Sequence, residues 1–213
     1  MNKITIIDYG LSNLLSVVRA FDMFADDVIV TNDFRKVGMA SKIVLPGVGA
    51  FESGMKGIIK YGLDEILIKC KEKQVPILGI CLGMQMLFDK SFENGEYEGL
   101  GLISGTVEKL PYNTLYGERQ NVPQIGWSTL EFLMMGRYGS NKLLEGIIPG
   151  DDVYFVHSYE CKPYSQSDVI AYTCYGGRKV CAIAGYENIY GCQFHPEKSG
   201  KTGLKIIKNF CLL

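Results

Sequence analysis

Four strand-like runs in the first half of the chain, Lys3–Asp8, Asp27–Thr31, Lys42–Pro46 and Val75–Ile80, alternate with helix-like stretches at Asn13–Phe24, Leu63–Lys73 and Leu82–Phe88. Such alternation leaves few folds open. Parallel strands need long crossovers and helices supply them, so the order predicts an α/β fold, an open, mostly parallel twisted sheet flanked by helices on both faces. The second half reads differently. Short strands at Leu102–Leu110, Val122–Glu131, Asp152–His157, Val169–Tyr175, Lys179–Glu187 and Tyr190–His195, broken by turns, predict an additional antiparallel region. A closing helix over Thr202–Phe210 puts Leu204, Ile207 and Phe210 on one face. No linker or repeat interrupts the series, so residues 1–213 are expected to form a single domain.

Open α/β sheets place their functional groups at the carboxyl ends of the strands. The unusual residues of this chain fall there: Asp8-Tyr-Gly10, Pro46-Gly-Val-Gly49 and Cys81 each follow a strand-like run. Cys81 stands between Gly79 and Gly83, where an apolar strand turns into a helix. A sharp strand-to-helix turn needs small neighbours and presents its central side chain, as in the Gly-x-Ser-x-Gly elbow of hydrolases. The helix start adds free N–H groups and a positive dipole end, which favour a thiolate and an oxyanion.

Composition narrows the partners. The 22 basic and 23 acidic residues nearly cancel, which points away from nucleic acid and anionic membranes. No apolar run approaches 18 residues, so no membrane-spanning helix is expected. The seven cysteines are odd in number, and the chain opens on a strand-like run with no signal-peptide pattern, so reduced thiols in a cytoplasmic protein are expected. Cys161, Cys174, Cys181 and Cys192 lack a zinc-ligand spacing; neither a metal nor a cofactor is called for. Together with Cys70 and Cys211 they are expected to be buried as small hydrophobes.

A cysteine nucleophile needs a base, and the chain has only His157 and His195. His195 stands in Gln193-Phe-His-Pro-Glu197 at the end of a strand-like run. Extended backbone sends residues i and i+2 to one side, so Glu197 is expected to hold one ring nitrogen while the other faces the thiol. Pro46-Gly-Val-Gly-Ala-Phe51 reads either as an ordinary tight loop or as one whose N–H groups approach a developing oxyanion. It lacks the Gly-Lys-Ser/Thr ending of a phosphate loop.

Taken together, Gly79-Ile-Cys-Leu-Gly-Met-Gln85 and Gln193-Phe-His-Pro-Glu197 resemble the class I, triad-type glutamine amidotransferases. Pro46-Gly-Val-Gly-Ala-Phe51, Gly126-Trp127, Tyr154-Phe-Val-His-Ser-Tyr159 and His195-Pro-Glu-Lys-Ser-Gly200 make the chain similar to the glutaminase subunits of imidazole glycerol phosphate synthases. The resemblance implies glutamine hydrolysis through a thioester on Cys81, with His195 moving protons and Glu197 orienting it. It implies oxyanion donors at the backbone of Leu82 and Val48, and a glutamine site formed by Gly49, Gln85, Glu93, His157, Ser158 and Tyr159. It further implies a heterodimer with a (β/α)₈ barrel cyclase that consumes the ammonia in histidine biosynthesis, met through Trp127, Tyr154 and Lys198. Relatives of this type usually need the partner to position the oxyanion loop. Ser12, Gln124 and Ser128 depart from the family pattern on what is expected to be the partner-facing side. They leave a second recipient open, a sugar destined for the cell surface.

Overall fold

The computed structural model describes residues 2–11, 13–132 and 141–213. In chain order its elements are β1 (Lys3–Ile7), α1 (Leu14–Asp22), β2 (Asp27–Thr31), α2 (Phe34–Val37), β3 (Ile43–Gly47), α3 (Phe51–Lys60), α4 (Leu63–Glu72), β4 (Ile77–Cys81) and α5 (Leu82–Met86). There follow β5 (Phe88–Ser91), β6 (Tyr97–Glu98), β7 (Ile103–Lys109), β8 (Gln124–Thr129), β9 (Glu131–Phe132), β10 (Asp152–His157), β11 (Tyr159–Pro163), β12 (Val169–Tyr175), β13 (Arg178–Tyr186), β14 (Ile189–Cys192) and α6 (Gly200–Leu212).

The main sheet among the described residues has eight strands in the order β2-β1-β3-β4-β14-β13-β12-β9. Strands β2 to β14 in that order run parallel, and β13, β12 and β9 extend the sheet antiparallel. The central strands β3 and β4 are buried along their whole length, which explains why they read as apolar runs without alternation. Helices bury one stripe each against the two faces. Phe21 of α1 meets Phe210 of α6 edge to face at 6.3 Å on one side, while α3, α4 and α5 pack with Phe51, Leu67 and Met86 on the other. Two smaller units complete the fold, an antiparallel β8–β10 ribbon and a four-stranded sheet β11-β7-β5-β6. No helix among the described residues is long and apolar enough to cross a membrane.

Three expectations change, and one helix was not expected. The run over Tyr190–His195 is not part of an antiparallel extension. Its strand, β14, lies inside the main sheet and pairs parallel with β4, Gly191 beside Gly79 and Cys192 beside Ile80. The helix expected to Phe88 stops at Met86, because the backbone beyond it pairs with β7, Phe88 opposite Ile103. Helix α3 was masked in the sequence by Gly54 and Gly57, yet the latter is needed there: a Cβ at Gly57 would lie 2.6 Å from the Tyr9 carbonyl oxygen. Finally, Cys174 is exposed on β12, whereas Cys70, Cys161, Cys181, Cys192 and Cys211 are buried as expected.

Candidate active site

The carboxyl ends of β3, β4 and β14 bring three segments together. Cys81 ends β4 and caps α5 with φ 53° and ψ −110°, a conformation that a residue with a side chain adopts only when its surroundings enforce it. The enforcement is visible in the two glycines. A Cβ at Gly83 would overlap the Leu45 carbonyl oxygen, and one at Gly79 would lie 2.7 Å from Gly83 and Met84 backbone atoms. Strand β3 therefore packs directly on the elbow, and the thiol has nowhere to point but into the cavity above.

His195 reaches the same cavity by a different route from the one anticipated. Strand β14 ends at Cys192, and Pro196–Lys198 forms a 3₁₀ turn capped by His195. Glu197 thus comes to the ring from the first turn of that short helix, not from extended backbone. Its Oε1 accepts a hydrogen bond from His195 Nδ1 at 2.8 Å, with both side chains almost wholly buried. The His195 N–H donates to the Tyr154 carbonyl at 3.0 Å, which fixes the turn on β10. Burial pulls the imidazole toward its neutral form, but the hydrogen bonds and charges of Cys81 and Glu197 outweigh it and lift the His195 pKa to about 9. Cys81 and His195 line the same cavity, and Glu197 holds the ring through Nδ1.

The cavity, about 320 Å³, is lined by Val48, Gly49, Cys81, Leu82, Gln85, Glu93, Pro123, Val156, His157, Ser158, Tyr159 and His195. It contains every residue expected to hold glutamine. Glu93 is half-buried rather than freely solvated, and its Oε2 accepts from the Phe51 N–H at the start of α3 at 2.7 Å. The two expected oxyanion donors differ. Leu82 opens α5, so its N–H has no partner within the helix. The Val48 N–H instead donates to the Leu11 carbonyl at 3.1 Å, so in this conformation it is not directed at an oxyanion.

His157 is a buried, neutral ring. Its pKa falls to about 4, chiefly through burial, opposed by its bond to the Tyr159 carbonyl. That carbonyl, 2.8 Å from Nδ1, can only accept, so Nδ1 carries the hydrogen and Nε2 is an acceptor. The Gln124 carboxamide lies 3.1 Å from Nε2 and 3.2 Å from the Ser128 hydroxyl. A neutral Nε2 requires the Gln124 amide nitrogen to face it and the Ser128 hydroxyl to donate to the amide oxygen. The two departures from the family pattern, Gln124 and Ser128, are thus bonded to each other and to a wall of the cavity. Gln124 is buried against His157 and Ser128. Ser12 lies outside the described residues.

Trp127 and Tyr154 stand together outside the cavity lining, and Lys198 ends the 3₁₀ turn that carries Glu197. The Trp127 and Tyr154 rings meet at 5.9 Å, and Trp127 lies 57% exposed beside Gly200, so it is a surface residue and not part of the core. Two residues escaped assignment from sequence. The Tyr9 hydroxyl, buried against Gly47, has no partner among the described residues, and Gln193 touches Cys81. Gln193 lies inside a recognisable motif, but only its contacts reveal a role. A larger cleft of about 590 Å³ between β7, β11 and β13 holds Cys161 and Cys181, whose thiols burial pushes up and out of reach as nucleophiles.

A family model described as glutamine amidotransferase class-I matches residues 5–213. The chain belongs to the class I glutamine amidotransferases. It is 44% identical over 210 residues, 99% of each chain, to "Imidazole glycerol phosphate synthase subunit HisH 1" of Legionella pneumophila (strain Lens). It is 43% identical to the subunit HisH of Aquifex aeolicus, over 98% of this amidotransferase and 95% of that relative. Among solved structures, one described as a glutamine amidotransferase superposes with a TM-score of 0.72 at 15% identity over 98% of this chain and 99% of that one. PurLQS from Thermotoga maritima superposes with a TM-score of 0.68 at 17% identity, over 99% and 97%. At these identities the two solved structures bear on the fold alone.

Proposed function

We propose that this amidotransferase is the glutaminase subunit of an imidazole glycerol phosphate synthase and that Cys81, His195 and Glu197 are its catalytic triad. The observation that carries the chemistry is that Cys81 and His195 converge on one cavity of amino-acid size, with Glu197 bonded to the ring nitrogen Nδ1. The full-length likeness to HisH subunits supports the pathway. The same likeness tells against the surface-sugar recipient, as does the burial of Gln124.

In the first half-reaction the Cys81 thiol gives its proton to His195 Nε2, and the thiolate attacks the side-chain carbonyl carbon of glutamine. The tetrahedral oxyanion is met by the Leu82 N–H. The C–N bond then breaks, His195 protonates the departing nitrogen, and ammonia leaves a thioester on Cys81. In the second, water attacks the thioester while His195 takes its proton and returns it to sulfur, releasing glutamate. Glu197 holds the imidazolium through Nδ1 in both halves. Glu93 and Gln85 offer acceptors to the α-ammonium of glutamine. Val48 becomes the second oxyanion donor once its N–H is released from Leu11, a change assigned to partner binding.

The partner is a (β/α)₈ barrel cyclase, held in a heterodimer against Trp127, Tyr154 and Lys198, and ammonia passes to it without entering water. The whole of 1–213 acts as one cytoplasmic domain. The decisive experiment is complementation of a histidine auxotroph lacking its own glutaminase subunit, with the barrel partner co-expressed. Growth without histidine that depends on Cys81 is expected. Failure to grow despite soluble complex overturns the pathway, and a complex that hydrolyses no glutamine overturns the chemistry.

A further inference from the structure

Gln193 has no part in the steps above, yet its side chain is completely buried in the wall behind Cys81. A carboxamide in such a place must find partners at both ends. Its Nε2 faces Cys81 Sγ at 3.9 Å, and its Oε1 lies 3.2 Å from Gln85 Nε2 and 4.0 Å from the Cys161 thiol. The orientation is fixed by a chain of necessity. The Tyr159 carbonyl can only accept, so the Gln85 amide nitrogen, 3.2 Å away, must donate to it. The same nitrogen faces Gln193, which must therefore present oxygen to Gln85 and N–H to sulfur.

Two consequences follow for the chemistry. Both Gln85 amide hydrogens are committed within the protein, so Gln85 can offer the cavity only its carbonyl oxygen. That is an acceptor, suited to an ammonium and unsuited to a carboxylate. At the other end, a hydrogen bond to an ionised acceptor is stronger than one to a neutral one. The Gln193 N–H is therefore worth more after the Cys81 proton has moved to His195 than before.

We infer that Gln193 is a positioning residue for glutamine hydrolysis, its amide N–H steadying the Cys81 thiolate while its carbonyl fixes Gln85 as the acceptor for the ammonium of the substrate. The inference rests on the glutaminase reading. A single buried side chain thus aligns nucleophile and substrate.

The test uses the full chain in complex with its barrel partner and the near-isosteric variants Gln193→Met, which loses the donor, and Gln193→Glu, which keeps only acceptors. Cys81 alkylation by iodoacetamide is followed against pH on the Cys81 peptide by mass spectrometry, with exposed Cys174 as internal reference. The pH of half-maximal Cys81 alkylation is expected to rise by about one unit in the Met variant and further in the Glu variant. Glutamine kcat should fall tenfold or more, KM should rise, and Cys174 should not change. Gln85→Leu leaves Gln193 in place but removes its anchor, and is expected to shift the Cys81 profile the same way by less. An unchanged Cys81 profile in whichever of these variants fold, judged by circular dichroism, overturns the inference. A wild-type complex without glutaminase activity would instead overturn the reading beneath it.

Discussion

Replacing Glu197 with Gln removes a charge while leaving the volume of the side chain nearly unchanged. Glu197 Oε1 stands 2.8 Å from His195 Nδ1, with 2% and 4% of the two side chains exposed, so solvent does not screen the pair. A hydrogen bond to a charged group of this kind contributes about 1.5–3 kcal/mol. If that stabilisation is felt by the imidazolium of the transition state, its loss corresponds to a drop of about 10- to 150-fold in kcat/KM. The bond itself survives, since Gln can still accept from Nδ1 through its amide oxygen. Glu197 Oε2 has no partner among the described residues, so the new amide group sits there unpaired and costs about 1–3 kcal/mol of stability. Burial, which already opposes protonation of His195, then has one fewer opponent, and the His195 pKa falls from about 9. The assay is steady-state glutamine hydrolysis by the partner-bound enzyme across pH, with a thermal melt to register the stability cost. A Glu197→Gln enzyme within twofold of wild type, with an unchanged pH profile, would refute the argument and leave Glu197 as a packing residue.

Gly83→Ala should destabilise the fold by at least about 3 kcal/mol, read by denaturant unfolding, because its Cβ collides with the backbone of β3 and not with a movable side chain. Glu93→Gln is expected to raise the KM for glutamine about tenfold with a smaller change in kcat, and to weaken the start of α3 by about 0.5–1 kcal/mol; an unchanged KM would remove Glu93 from the substrate site. The two histidines impose opposite pH dependences on stability. His157, held at about 4, binds no proton between there and 6.5 while the unfolded chain does, so stability falls on acidification through that window by up to about 3 kcal/mol. His195, raised to about 9, contributes stability that is complete below pH 6.5 and fades as pH rises toward 9. His157→Gln should flatten the acid limb in urea titrations, and an acid limb of undiminished slope would show that another group causes it.

Much of the fold was legible because its strands differ in how they are buried. β3 and β4, covered on both faces, read as unbroken apolar runs preceded by charge, and β2, β10 and β12 have the bounds expected of them. Short or glycine-containing helices were less legible. Helix α5 starts at Leu82 as expected but stops two residues early, since five residues are too few for periodicity to fix an end, while α3 spends two positions on glycines that serve contacts with other elements. The site was legible as a set of residue types and not as a geometry. His195 and Glu197 are two apart in any conformation, but the 3₁₀ turn that joins them depends on the Tyr154 carbonyl, far away in sequence on β10.

The sequence by itself determined the alternating order of strands and helices, the cysteine elbow between its glycines and the family, because local spacing and apolar pattern carry all three. Only the tertiary structure decided that β14 joins the parallel core, which sets His195 beside Cys81. It also turned Gln124 and Ser128 inward onto His157, tied the Val48 N–H to Leu11, and gave Gln193 both ends of its hydrogen-bonding capacity to the site. These are contacts between segments distant along the chain. They are chosen by burial and by the requirement that every buried polar group find a partner, and neither condition exists until the sheet has formed.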